Sequence, residues 1–306
     1  MKRKLVKQGG SALTISLPKS WVDKYKLKAG DNISVKECGR ELSVITDREE
    51  EGRSIALETS QLNERTLKWT LSSLHKGGYD IINIVFDDSN SMSVINKIVK
   101  DLFIGFVIIE QSSKGCILRN ISKDSESDFD SLLKRAFSVT ISMGESTLNA
   151  INKDNLDDLR NLVSLEQTNN QITNSCERLL NKKGFKEYRK TCFMYVITWN
   201  LEKICNNYKY ICNFLIDNNN LVLNKNVINF YNNTNELMIK FYKIFYNFNV
   251  NKLNEWSNKR KELIKKGHIL IRKENGINSV ILGYLQNLIY QLADFSASTI
   301  AINQED

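Results

Sequence analysis

The chain has 306 residues, 42 % hydrophobic and 25 % charged, with a net charge of +8. This is the composition of a soluble globular protein with room for two or three domains, and apolar runs such as residues 103–109 are too short to span a bilayer. The charge is uneven: residues 1–28 hold eight Lys/Arg against Asp23 alone, and residues 1–46 carry +6 of the total. A basic head of this kind points to a polyanion partner.

Residues 2–46 read as short strands around one small helix. Residues 2–7 form a basic strand, Gln8-Gly-Gly-Ser11 a turn, and residues 13–17 a second strand with alternating apolar and polar positions. Pro18 is the only proline, and its place after that strand predicts a strand-to-helix junction with proline at the first helical position. Residues 19–25 are a short helical turn, with Trp21 as a core anchor, and Lys28-Ala-Gly-Asp31 is a turn. Residues 33–37 and 42–46 form a hairpin across Cys38-Gly-Arg-Glu41. So few residues make a thin core, so the head is expected to need a second copy to bury its apolar face.

Residues 47–53 are a charged linker. Residues 54–122 then alternate in type: extended over 54–58, helical over 63–76, a buried strand over 80–86, helical over 92–103, and two strands over 106–110 and 116–121. This predicts a small α/β sandwich, its first helix stopped by Gly77-Gly78. From residue 128 onward six long amphipathic helices are predicted, over 129–151, 155–180, 188–216, 226–247, 252–272 and 279–302, with a break at Asp217-Asn-Asn-Asn220. They divide into two three-helix bundles, 128–217 and 224–306, which look like diverged copies. The fold class is thus α+β multidomain: a small β domain (1–47), an α/β domain (54–122) and an all-α region (128–306).

Six cysteines occur without any C-x-x-C pair, and the two histidines, His75 and His268, lie far apart in sequence. That excludes the common zinc motifs and fits a reducing, cytoplasmic setting. Cys205 and Cys212 are expected on one core-facing stripe. No signal-peptide pattern follows Lys2-Arg3-Lys4. Ser16-Leu-Pro-Lys19 matches the Ser-x-x-Lys of serine acylases but has no companion motif, and there is no P-loop or dinucleotide fingerprint. No catalysis is expected. Lys259-Arg-Lys261 and Lys265-Lys266 read as a solvated helical face in preference to a second basic patch.

Two resemblances bear on function. Arg3, Lys7, Gly9-Gly-Ser11, Leu13-Thr-Ile-Ser-Leu-Pro-Lys-Ser-Trp21, Leu27, Gly30-Asp31 and the closing hairpin resemble the AbrB/SpoVT swapped-hairpin DNA-binding domain. The resemblance implies an interlocked homodimer that binds double-stranded DNA through Lys2, Arg3, Lys4, Lys7, Gln8, Ser11, Lys19 and Ser20. On chemical grounds Arg3 suits a guanine edge, whereas the lysines suit phosphates. The helical part resembles PhoU, the phosphate-uptake regulator, and the whole arrangement resembles its archaeal fusion form. In PhoU a Glu-x-x-x-Asp pair on the third helix of each bundle can hold divalent or iron clusters. The corresponding segments here are Leu201-Glu-Lys-Ile-Cys-Asn206 and Tyr290-Gln-Leu-Ala-Asp294. Each has lost one carboxylate, so Glu202, Asn206 and Asp294 form a degenerate ligand set, and no cofactor is expected. Together the resemblances imply a cytoplasmic, DNA-binding regulator of phosphate homeostasis. Two alternatives stand beside it: a protein–protein regulator of a phosphate transporter or sensor kinase whose head only dimerises, and an antitoxin-like head.

Overall fold

The computed structural model describes residues 2–38, 40–46, 52–87, 90–122, 126–219 and 221–304. Most of the expected linker, residues 47–51, lies outside them, as do Gly39 of the predicted hairpin turn and Asn220 of the predicted break. The chain is a mixed α+β protein that divides into two compact units, Met1–Arg53 and Ser54–Asp306.

The first unit holds two separate two-stranded sheets and one short helix. β1 (Val6–Gln8) pairs antiparallel with β2 (Ala12–Thr14), Lys7 opposite Leu13. Gly9, at φ +69°, supplies the left-handed residue of the tight turn between them. Both strands are shorter than the sequence predicts. Residues 2–5 and 15–17, expected as strand, form no strand pairing among the described residues. α1 (Lys19–Lys24) follows Pro18, which precedes the helix and does not occupy its first position. Pro18 is extended (φ −61°, ψ 129°), and its carbonyl accepts from Trp21 and Val22 N–H at 3.0 Å, which starts the helix. Trp21 is half-buried, tilted against Tyr25 at 5.4 Å. β3 (Ile33–Cys38) and β4 (Glu41–Thr46) form a regular hairpin in which Val35 faces Val44.

In the second unit, β5 (Ser54–Glu58) runs parallel to β6 (Ile81–Val85), linked by α2 (Glu64–Lys76). After α3 (Ser91–Leu102) come β7 (Phe106–Ser112) and β8 (Gly115–Asn120), which complete a sheet of order β5-β6-β8-β7. Asn63 caps α2 by accepting from the Thr66 N–H, and Gly77 and Gly78 (φ +83°) end it. Leu67 and Leu71 of α2 and Ile95, Ile98 and Leu102 of α3 share a core with Ile82, Ile84 and Leu118.

The helices beyond are α4 (Glu126–Asn152), α5 (Leu156–Lys183), α6 (Thr191–Asp217), α7 (Lys225–Tyr246), α8 (Val250–Lys273) and α9 (Gly276–Ile302), with a single 3-10 turn, Tyr188–Lys190, before α6. α4, α5 and α6 pack on one another, as do α7, α8 and α9, and α6 lies along α9. One continuous apolar core runs through all six, including Phe137, Leu201, Ile204, Phe241, Leu285 and Phe295. Cys205 and Cys212 face it together, as their seven-residue spacing predicts. Residues 54–122 and the helices keep separate cores, yet α2 and α3 both pack on α5 within the same compact unit. No helix among the described residues is long and apolar enough to cross a membrane.

Gly267 shows how closely the helices approach. A Cβ there would overlap the Gln286 Oε1 atom and stand 2.9 Å from Phe230 Cζ. Gly→Ala in a helix interior ordinarily gains about 1 kcal/mol. Gly267→Ala is instead expected to lose about 1–3 kcal/mol, because overpacking outweighs propensity. A urea titration reads the sign directly.

Candidate nucleic-acid interface

The eight residues expected to meet DNA are all exposed. Lys7 and Gln8 lie on β1 and Ser11 in the β1–β2 turn, so one hairpin gathers these three. Lys19 and Ser20 open α1. Lys2, Arg3 and Lys4 precede β1 in irregular backbone. Every one of these side chains can therefore be presented to a partner.

Many of the head's apolar side chains are exposed as well. None of its described residues is buried, and Leu5, Val6, Leu13, Ile15, Ile33, Val35, Leu42 and Ile45 all face solvent. Ile33 and Val35 lie on the same face of the β3–β4 hairpin as Leu42 and Val44, because directly paired residues share a face. An isolated two-stranded hairpin is marginal in water, and this one leaves its apolar face uncovered.

The residues aligned with the metal motifs sit in a different setting. Glu202 lies on α6, and the Lys76 ammonium, from the end of α2, reaches it at 3.5 Å and Glu177 of α5 at 2.8 Å. Lys203 stands 3.4 Å from the other Glu202 oxygen. Tyr195 donates its hydroxyl to Glu177 at 3.2 Å. Burial works against the charge on Lys76, but the carboxylates of Glu202 and Glu177 outweigh it and hold the ammonium above its ordinary pKa. Two turns on, Lys209 bonds both the buried Glu166 and Asn206, the latter at 3.1 Å. Asp294, on α9, is exposed. Lysine ammonium groups thus occupy the oxygen ligands of Glu202 and Asn206. Among the described residues no cluster of three or more His, Cys, Asp or Glu could hold a metal ion.

Sequence reasoning missed this polar seam. It continues into Arg178, nearly fully buried on α5, whose Nη1 donates to the His75 and Tyr79 carbonyls at 2.9 and 2.8 Å while Nη2 pairs with Asp80. Asn169, Thr173 and Glu177, four apart and all buried, are the sequence signal: polar residues recur where a core helix would place aliphatics.

His75, in the same seam, is fully buried and stacks on Phe103 at 4.5 Å, and neither ring nitrogen has a hydrogen-bond partner. Burial, with Arg178 and Lys76 adding to it, lowers its pKa from 6.5 to about 3. The unfolded chain therefore takes up the proton first as pH falls. Stability from this group is complete above pH 6.5 and is lost as pH falls toward about 3, at about 1.4 kcal/mol per pH unit. His75→Phe is expected to remove that slope, read as the difference between wild-type and variant urea midpoints at successive pH values.

A scan against protein families, a search of curated proteins and a search of solved structures each returned no match.

Proposed function

We propose that the chain is a homodimeric DNA-binding regulator of phosphate uptake, with the basic head on double-stranded DNA and the helical body sensing or relaying state. One observation carries the reading. The head combines a net charge of +6 over residues 1–46 with eight exposed DNA-contact candidates and, among the described residues, none that is buried. A surface that is cationic and lacks its own core is suited to a partner copy and a polyanion together. The PhoU-like part of the reading is supported by the two mutually packed helix triplets, α4–α6 and α7–α9. An effector on the body alters DNA affinity only if it binds the two arrangements of the dimer differently.

A metal cluster does not fit the residues present. Lysine nitrogens already hold Glu202, Glu177, Glu166 and Asn206. No step of the proposed regulation is routed through a metal.

The test is a fluorescence-anisotropy titration against duplexes from upstream of phosphate-uptake genes. Arg3→Ala with Lys7→Ala is expected to weaken binding at least about tenfold while leaving the dimer intact. Absence of DNA binding at ~50 mM salt, in an intact dimer, would favour the second reading, a protein–protein regulator whose head serves only as a clasp.

A further inference from the structure

Positive charge is concentrated in a second place. Residues 250–273, the span of α8, hold eight Lys/Arg against Glu255 and Glu262, a net of +6 that equals that of the head. The inner face of α8 is fixed in the bundle by Leu253, Trp256, Leu263, Gly267 and Leu270. Its outer face is therefore a rigid surface.

Toward the carboxyl end of that outer face stands Ile269, 53 % exposed. Its four surface neighbours at i−4, i−3, i+3 and i+4 are Lys265, Lys266, Arg272 and Lys273. All four are exposed, and none has a carboxylate within 4 Å among the described residues. Glu274, which follows them, is engaged by Asn224. A single exposed isoleucine is ordinary, and so is a lysine. A solubilising face, however, intersperses both signs of charge, whereas this ring has one sign around an apolar centre.

We propose that this face docks on an anionic lipid bilayer, with Ile269 entering the headgroup–acyl boundary and the four cations on lipid phosphates and carboxylates. Clusters of four to eight Lys/Arg on an amphipathic helix suit such a surface, and an apolar residue at their centre has a seat there. A nucleic-acid backbone would satisfy the cations and leave Ile269 in water. A protein partner would bury a larger apolar centre, and lysine is depleted from such interfaces.

The experiment is co-sedimentation of the full-length protein with phosphatidylcholine vesicles, with and without phosphatidylserine at about a third of the lipid. Binding is expected to the anionic vesicles alone. Lys265→Ala, Lys266→Ala, Arg272→Ala and Lys273→Ala together are expected to reduce it about 100-fold, and Ile269→Ser severalfold. Arg3→Ala with Lys7→Ala controls for the basic head and is expected to leave vesicle binding in place. The proposal is overturned if the fourfold α8 variant sediments like wild type, or if it loses DNA affinity in the anisotropy titration with vesicle binding unchanged. All five α8 positions are exposed, so unchanged thermal melts are expected to accompany the loss.

Discussion

Arg178→Met is expected to lower the unfolding free energy by about 3–5 kcal/mol, the largest single-site effect outside the apolar core. The guanidinium is 3 % exposed, spans the end of α2 and the start of β6, and lies 5.2 Å from the Phe106 ring. Methionine would fill much of the space but leave the His75 and Tyr79 carbonyls without this donor and weaken the hold on Asp80, where Lys182 remains at 2.7 Å. Arg178→Lys is expected to recover only part of the loss, because one ammonium cannot reproduce a planar fork aimed at three acceptors. Lys76→Met tests the adjoining pair. It strips Glu177, fully buried, of its 2.8 Å cation, and Glu177→Gln in the same chain is expected to restore much of the stability. Denaturant unfolding of the four variants reads these differences. An Arg178→Met chain as stable as wild type would mean that the seam does not hold residues 54–122 to the helices.

Val35→Asp with Leu42→Asp is expected to raise the dimer dissociation constant about 100-fold or more, and to lower DNA affinity with it. Fully burying a Val or Leu side chain contributes about 1.5–3 kcal/mol, and an aspartate in its place adds desolvation. In one chain these two side chains lie on the same face of a hairpin, both exposed. Sedimentation velocity over a concentration series measures the dimer. A dimer untouched by the double variant would show that the β3–β4 face is not what the second copy covers.

The six helices were readable in the sequence because their periodicity is uninterrupted: the only proline is Pro18, and predicted ends fall within a few residues of those of α4 to α9. The alternating segment 54–122 was readable for the same reason, with Asn63 and Gly77-Gly78 marking the ends of α2. The head was read less accurately. Residues 2–5 and 15–17 have the sequence pattern of strands, but a strand needs a partner, and among the described residues β1 and β2 pair over Val6–Gln8 and Ala12–Thr14 alone. Pro18 stands one position before the first helical residue that its sequence context predicts for it, because at this junction it supplies the first carbonyl and stays extended.

The polar seam escaped the sequence for a tertiary reason. Glu202 and Asn206 have the spacing of a ligand pair, and nothing local reveals that Lys76, 126 residues earlier, reaches Glu202. Lys209 is the local signal: it lies one turn from Asn206 on the same helix and donates to its side-chain oxygen. The charge on α8 is legible in the sequence, whereas the exposure of Ile269 within its ring of four cations is a property of the fold.

The most direct measurement is the salt dependence of full-length protein binding to duplex DNA from upstream of phosphate-uptake genes. If the basic head is a DNA-binding dimer, binding is strong at ~50 mM salt and weakens steeply with added salt, the log–log slope falling by roughly 1 for each phosphate contact removed, as in Lys7→Ala. Absence of binding at ~50 mM salt, where phosphate contacts are strongest, would contradict it.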